Sequence, residues 1–500
     1  MKRTWIILLI IIGVASTGVA ESATYYVGKS GSNANLCGAA QSNAVTSRKL
    51  TIASGLTCLS PGDTLVIGNG TYAESLASVP NGSAGSGYIT IQAETDDGVI
   101  LTGGLSLVHT NQYIVVTGLR FQDVGGTKVV LGNHLKFFRN EFKYGCPSDN
   151  CVNTQIGTND FNDTADILFE ENWWHGSGGR YTILLYNANR VILRRAVVRH
   201  DGGWTDSKGD PEAGITFYNT ANSACLNCII LDSTLTYHAW QSAFYNVYNS
   251  ASPNSNANNS YLGSISLNNR EPGNADGASM RFDGDVAQTG HLITDFVGWD
   301  TNWCINISFA SAISVAINRA TCGNNTRTGT GYGFGSGSSG SKTLTNLIIA
   351  NENTADLSGP SATFFDTYNN GTTSSGTGQV TYSPFTNGLL YLPRIEASTP
   401  LKTAGSGGGQ MGAQIVNKIG TSGSLYGETN WNTDTGTVLW PWPNEARIKK
   451  DLCTDAGVTR GFCASTSLTD YIWQYLGNKS PINGSSDVTP PAAPTNLRLS

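Results

Sequence analysis

Four insertions in this chain concentrate side chains able to do chemistry. The first, RHDGGWTDSKGDPEA (residues 199–213), carries Asp201, Asp206, Asp210 and Glu212 on one loop, with His200, Trp204 and Lys208 among them. TLTYHAWQS (234–242) adds His238 and Trp240. NNREPGNADGAS (268–279) is charged again, and GWDTNWC (298–304) adds Trp299 and Trp303. Calcium takes six to eight oxygen ligands, chiefly carboxylates, amides and carbonyls. Asp201, Asp206, Asp210 and Glu212 are therefore the candidate Ca²⁺ ligands. Lys208, Arg281, His200 and His238 are the candidate bases, and the residue types do not choose among them. Trp204, Trp240, Tyr218 and Tyr248 present flat faces suited to pyranose rings, and Asp283 offers acceptors beside them.

This set fits β-elimination on a uronate-containing, acidic polysaccharide. The proton α to the carboxylate must leave, so a metal or an arginine has to neutralise that carboxylate while a base takes the proton. Hydrolysis would instead need two carboxylates ~5–9.5 Å apart, for which Asp283 and Asp285 are the candidate pair. A non-catalytic glycan-binding or adhesive protein would use the same residues for recognition alone. Taken singly, each has a plainer role: loop carboxylates are solvated, and tryptophans pack loops onto a sheet. Only their clustering points to a ligand.

The insertions share one phase of a repeat. TILLYNANRVILRRAVV (182–198) returns as GITFYNTANSACLNCIILDS (214–233), and Tyr186-Asn187, Tyr218-Asn219 and Tyr248-Asn249 mark successive units. Phe282-Asp283, Phe309 and Phe334 continue the series more loosely. Apolar and polar residues alternate as in strands, and no helical periodicity appears. A period near thirty residues marks a solenoid, and two or three short strands per unit favour stacked parallel strands over propeller blades. The expectation is an all-β right-handed parallel β-helix of roughly ten to thirteen coils between about residues 60 and 400. Asn and Gly would turn its corners, and Ile215, Phe217, Met280, Phe282, Ile307 and Phe309 would point inward. Insertions at one phase project from one edge, so they would wall the sheet bearing Tyr218, Tyr248, Arg281 and Asp283, with Arg281 facing outward. Trp173-Trp174-His175 would extend that groove by one coil. Arg194, Arg195 and Arg199 would face outward, paired with acids on neighbouring coils. The glycine-rich stretch at 329–341 lacks a phosphate loop's ending and is expected to be a loop.

The ends of the chain are read differently. Lys2 and Arg3 precede an apolar run and then small residues ending at Ala20, the pattern of a signal peptide over 1–20. Export to the extracellular or periplasmic side follows, with no membrane span once the signal is removed. Residues 21–440 would form the β-helix domain, with a short amphipathic cap over 47–59. Residues 441–480 would form a C-terminal helical cap docking on the last coils, and 481–500 a Pro-rich tail. Charged residues are only 13% of the chain and the formal net charge is -6, which speaks against a nucleic-acid partner. Ten cysteines fit an oxidising compartment. Cys37 with Cys58, Cys146 with Cys151, Cys304 with Cys322 and Cys453 with Cys463 are the expected pairs. Cys225 and Cys228 form a lone CxxC, read as a structural disulfide or as buried thiols.

ATYYVGKSGSN, RKLTIASGL and PGDTLVIGNGTYAESL, within residues 23–76, are similar to the opening of secreted right-handed β-helix proteins of the pectate-lyase-like superfamily. The resemblance implies secretion, a polysaccharide in a groove along one sheet, and often a lyase, hydrolase or epimerase. The chain departs from the specific families. It has no WIDH and no RxPxxR, and of the polygalacturonase set only an isolated Thr289-Gly290-His291 resembles Gly-His-Gly. No family's catalytic residues carry over.

Overall fold

Thr24–Val27 pairs in parallel with Thr64–Ile67, which pairs in parallel with Ile89–Ala93, and later strands continue in the same direction. The computed structural model describes residues 22–145, 151–160, 163–177, 179–200, 213–234, 243–250, 256–269, 277–325, 331–454 and 461–482, without the side chains of 308 and 309. The first face of the solenoid is an 11-stranded parallel sheet, from Leu76–Ala77 to Ala355–Ser358. The second and third faces share a 21-stranded sheet. Mid-chain coils supply two strands to it, such as Asn189–Arg194 and Val197–Val198; later the two merge, as in Gln288–Trp299. This is the expected right-handed parallel β-helix. Ile215, Phe217, Met280, Phe282 and Ile307 all enter its core, and the Phe309 side chain lies outside the described residues.

The corners explain the recurring asparagine. Asn187 and Asn219 follow strands paired in register, and both hold a left-handed backbone, with φ of 53° and 50°. Asn219 Nδ2 donates to Asn187 Oδ1 at 3.1 Å. A second column, Asn189, Asn222 and Asn258, is bridged by amide bonds of 3.0 and 3.1 Å. Side-chain amides stacked this way satisfy one another at every rung. Other corners are left-handed without Asn or Gly. Asp166, Arg190, Asp295 and Arg319 have φ of 54–55°. They are held instead by ion pairs between coils, Arg190–Asp166 at 2.7 Å and Arg319–Asp295 at 2.6 Å. The left-handed backbone costs a non-Gly residue on the order of 1–2 kcal/mol, which such contacts help to offset. The expected loop at 329–341 contains a strand, Tyr332–Gly335. Gly335 is required there because a Cβ would meet the Trp303 ring at 2.0 Å.

The N-terminal cap is the helix Ile52–Leu56, whose Thr51 side chain accepts from the Ser54 N–H. Ile52 and Leu56 close the first coil. The C-terminal helices Glu445–Leu452 and Leu468–Trp473 do not sit at the solenoid's end as expected; they pack along its flank. The outer side of the third face explains this. Trp173, Val197, Ile229, Ile265, Val297 and Ile348 point away from the core and would be bare. Leu389, Leu401, Met411, Trp440, Ile448 and Trp473 cover them and make a second apolar cluster. Each such side chain fully buried contributes roughly 1.5–3 kcal/mol, so the C-terminal stretch belongs to the fold. Tyr471 Oη donates to Asp232 Oδ1 (2.7 Å) and Tyr475 Oη to Asp300 Oδ2 (2.6 Å), fixing its register on the corners.

Trp173, Trp174 and His175 belong to this architecture and not to an extended groove. Trp174 points into the core and stacks on Phe142 at 5.0 Å. Trp173 points outward beneath Arg447, and its Nε1 donates to Asp451 Oδ2 at 3.0 Å. His175 is buried with Nε2 2.8 Å from Glu141 Oε1. The three arginines likewise point out of the coil yet are buried. Arg194 and Arg195 both pair with Glu170, and Arg199 donates to the Leu452 carbonyl at 2.7 Å.

Cys37–Cys58, Cys304–Cys322 and Cys453–Cys463 are disulfides as expected. Cys151 is disulfide-bonded, and Cys146 lies outside the described residues. Cys225 and Cys228 are buried free thiols. No helix among the described residues is long and apolar enough to cross a membrane. The signal-peptide and tail expectations fall on residues outside the description.

One buried carboxyl gives a pH prediction. Asp366 is fully buried, with Oδ1 accepting the Tyr382 N–H at 2.8 Å, and burial pushes its pKa up to about 7. An unfolded Asp ionises near ~3.9. As pH rises between these values the unfolded chain releases the proton and the folded one keeps it, so stability falls through that window. Asp366→Asn keeps the acceptor and removes the titration. The variant should gain up to about 4 kcal/mol over the parent between pH 4 and pH 8, read as the pH dependence of the urea midpoint.

Candidate functional site

The first face carries its outward side chains in rows across adjacent strands. Tyr181–Tyr186, Ala213–Tyr218, Ala243–Asn249, Ala278–Gly284 and Trp303–Ala310 pair in parallel in that order. One row reads Leu184, Thr216, Asn246, Arg281, Asn306, by register. The next reads Tyr186, Tyr218, Tyr248, Asp283. The repeat therefore aligns Asp283, not Phe282, with the tyrosines; Phe282 is in the core. The three tyrosines form a ladder with ring centroids 5.0 and 4.7 Å apart. Burial, helped by the neighbouring ring, raises the pKa of Tyr186 and Tyr248. The phenols of Tyr186 and Tyr248 thus stay neutral and donate or accept without charge near pH 7. Tyr218 Oη lies 3.0 Å from Ser250 Oγ, which fixes that ring at the corner.

Arg281 leaves its strand on the outer side, between the inward Met280 and Phe282. It is nonetheless only 3% exposed, and its Nη2 donates to Asp283 Oδ2 at 2.9 Å. Arg281 is thus outward and buried at once. Burial raises the Asp283 pKa, against the opposing pull of Arg281. Asp285 is exposed two residues further on.

His200 is fully buried at the root of the first insertion. Its backbone N–H donates to Ser233 Oγ, and Ser233 N–H donates to Asn269 Oδ1, each at 2.9 Å, so a corner ladder sets its place. Its Nε2–H donates to the Gly179 carbonyl at 2.9 Å. Nε2 is thereby a donor, and any base chemistry would have to use Nδ1. Trp299 is not a platform for sugar: it is 3% exposed and packs edge-on against Phe385 in the flank cluster. Trp303 lies on the first face and stacks on Tyr332 at 4.2 Å.

Asp201, Trp204, Asp206, Lys208, Asp210, Glu212, His238 and Trp240 lie outside the described residues. Among the described residues no cluster of three His, Cys, Asp or Glu could hold a metal ion. The structure therefore brings together Tyr218, Tyr248, Arg281 and Asp283 on one sheet, with His200 at the edge from which the insertions leave.

Several residues of this face were missed. A pocket of about 270 Å³ is lined by Val152, Gln155, Arg180, Leu184, Tyr186 and Tyr218, with Tyr181 beside them. The signal was present in Tyr186, which holds the same repeat position as Tyr218. Arg180, just before a strand, carried no such mark.

No family model matches the chain, and no curated protein matches it. Among solved structures it is similar to pectate lyase Pel9A, at 14% identity over 79% of this chain and 96% of that one, with a TM-score of 0.44. It is also similar to XylC in complex with xylose, at 8% identity over 72% and 86%, TM-score 0.43. A third is the A-module of the mannuronan C-5 epimerase AlgE6 of Azotobacter vinelandii, at 13% identity over 64% and 92%, TM-score 0.32. By its own strand pairing, this chain is a parallel β-helix.

Proposed function

We propose that this protein is exported and acts on an acidic, uronate-containing polysaccharide, cleaving it by β-elimination. The observation that carries the reading is the continuous outward strip of Tyr186, Tyr218, Tyr248, Asp283 and Arg281 on the first face. The four insertions run into the first-face strands at their N-terminal ends, Ala213, Ala243, Ala278 and Trp303, and the tyrosines and Asp283 lie towards the C-terminal ends of the same face. Aromatic faces hold pyranose rings, and arginine recognises carboxylate. Coils stacked ~4.8 Å apart suit a polymer running along the stack. Lys208, His200, His238 and Arg281 remain the candidate bases. Ca²⁺ held by Asp201, Asp206, Asp210 and Glu212 would neutralise the uronate carboxylate. The disulfides and the apolar N-terminal run support export.

A glycan-binding protein without turnover is the second reading. It is favoured by the engagement of both described candidate bases, Arg281 with Asp283 and His200 with Gly179. Incubation with pectate, alginate and glycosaminoglycans, in Ca²⁺ or in chelator, separates the two. Growing unsaturated-uronate absorbance is the expected result. New reducing ends without that absorbance mean hydrolysis, and retention without cleavage means a binder.

Arg281→Gln should lower affinity or turnover on the recognised polymer ten- to a hundredfold, the worth of a charge-assisted contact of about 1.5–3 kcal/mol. It should also lower the melting temperature, because the substitution leaves Asp283 buried without its guanidinium. An unchanged melting temperature would contradict the burial, and unchanged affinity would remove Arg281 from the site.

A further inference from the structure

The 270 Å³ pocket is centred three strands away from Arg281, about 14 Å along the stack, with Tyr218 as its nearest wall two strands away. Its size falls just below the ~300–1,000 Å³ of pockets that hold drug-sized ligands, which suits one ring and not a chain. Its walls are of two kinds. Tyr186, Tyr218, Leu184 and Val152 form an apolar and aromatic floor, and the last two join Tyr181 in a small outward cluster. Gln155 and Arg180 supply the donors. No carboxylate occurs among the described lining residues.

We infer that this pocket is the subsite for an acidic sugar unit, with the pyranose C–H face on Tyr218 and Tyr186 and the carboxylate on Arg180 and the Gln155 amide. The inference rests on the acidic-polysaccharide reading for its ligand class and assigns the acid-reading role to Arg180. Two contrasts favour Arg180 over Arg281. The Arg281 guanidinium is only 3% exposed, and Arg281 lines no part of the pocket. Arg180 instead lines an open cavity and stands 5.2 Å from the Tyr181 ring centroid. Arginine has five in-plane donors, so a ligand carboxylate can join whatever protein partner it keeps. Gln155 Nε2 now donates to the Gly157 carbonyl at 2.9 Å, and its second N–H is the one available to a ligand.

The test uses the full chain and saturation-transfer NMR with four probes: sodium galacturonate, sodium glucuronate, methyl galactoside and methyl glucoside. The uronates should bind more tightly than the methyl glycosides, with saturation strongest at ring C–H protons. Arg180→Gln should weaken uronate binding about tenfold or more and leave the methyl glycosides within about twofold. Tyr218→Ala should weaken both classes, and Tyr186→Ala replaces it if that variant fails to fold. Equal binding of uronates and methyl glycosides overturns the inference. So does unchanged uronate affinity in a folded Arg180→Gln variant, or no saturation transfer to any probe. The outcome is separable from that of the elimination reading. Uronate binding through Arg180 without cleavage of any polymer sinks elimination and leaves the subsite standing. Cleavage that depends on Arg281 and ignores Arg180→Gln does the reverse.

Discussion

Glu170→Ala should cost about 3–5 kcal/mol of stability at neutral pH, the usual penalty for removing one partner of a buried ion cluster. Glu170 is 1% exposed and receives four donors. Arg194 Nη1 donates to Oε2 at 2.9 Å and Arg195 Nη2 to Oε1. Ser422 Oγ reaches Oε1 at 2.5 Å, and the Gly423 N–H reaches Oε2 at 2.8 Å. Two coils of the solenoid and the returning C-terminal segment thus meet on one carboxylate. Removing it leaves two buried guanidinium groups short of charge compensation and cuts the segment loose at that point. Limited proteolysis should then cleave near residues 420–430 before the solenoid itself is attacked. Burial alone would raise the Glu170 pKa, but Arg195 and Arg194 outweigh it and the net shift is downward. A depressed carboxylate stabilises the fold above the unfolded value near ~4.3, and that contribution is lost as pH falls through the folded value. The acid limb of the stability curve should therefore be shallower in Glu170→Ala. Loss below 1 kcal/mol at pH 7 would show that the cluster is solvated.

Trp174→Ala is the second large effect, expected at roughly 3–5 kcal/mol. The ring is fully buried in the core, 5.0 Å from Phe142 and 5.7 Å from Phe169, and its Nε1 donates to Thr154 Oγ1 at 3.0 Å. Truncation opens a cavity between stacked coils and removes the donor to Thr154 Oγ1, which keeps its own hydrogen bond to Asn153 Oδ1 at 3.0 Å. The neighbour provides the control. Trp173 is just as buried, but on the opposite side of the strand, beneath Arg447 and Asp451. Trp173→Ala should chiefly release the C-terminal helices, seen as protease sensitivity there with a smaller shift of the main denaturant midpoint. If both variants unfold identically, the flank segment and the solenoid form one cooperative unit.

Much of the fold was legible because a solenoid is written in local terms. The Tyr186-Asn187 and Tyr218-Asn219 steps marked real corners, since both asparagines hold a left-handed turn that asparagine tolerates. Alternation within GITFY placed Ile215 and Phe217 inside, because strand side chains alternate regardless of what lies beyond the coil. The disulfides Cys37–Cys58 and Cys453–Cys463 were legible for the same reason, with partners 21 and 10 residues apart. Corners held by Arg190–Asp166 and Arg319–Asp295 were not, because only stacked register makes those residues neighbours.

Alternation says which side of a strand a residue occupies; it does not say what covers that side. Arg194 was correctly outward, yet it is buried by chain lying far downstream, and so are Trp173 and Trp299, which were expected in the groove. Arg194 bonds the Trp431 carbonyl 237 positions away, and Trp173 bonds Asp451 278 positions away. The same limit applied at the candidate site. The chain order placed Tyr218, Tyr248, Arg281 and Asp283 at matching phases, and the sheet brought them together. Whether Arg281 met solvent or Asp283, and whether Arg180 entered a pocket, depended on side-chain packing between coils. Local backbone preference and apolar periodicity were enough to specify the coil. Exposure, charge pairing and cavities are properties of packed surfaces, and these come into being only when distant segments close on one another.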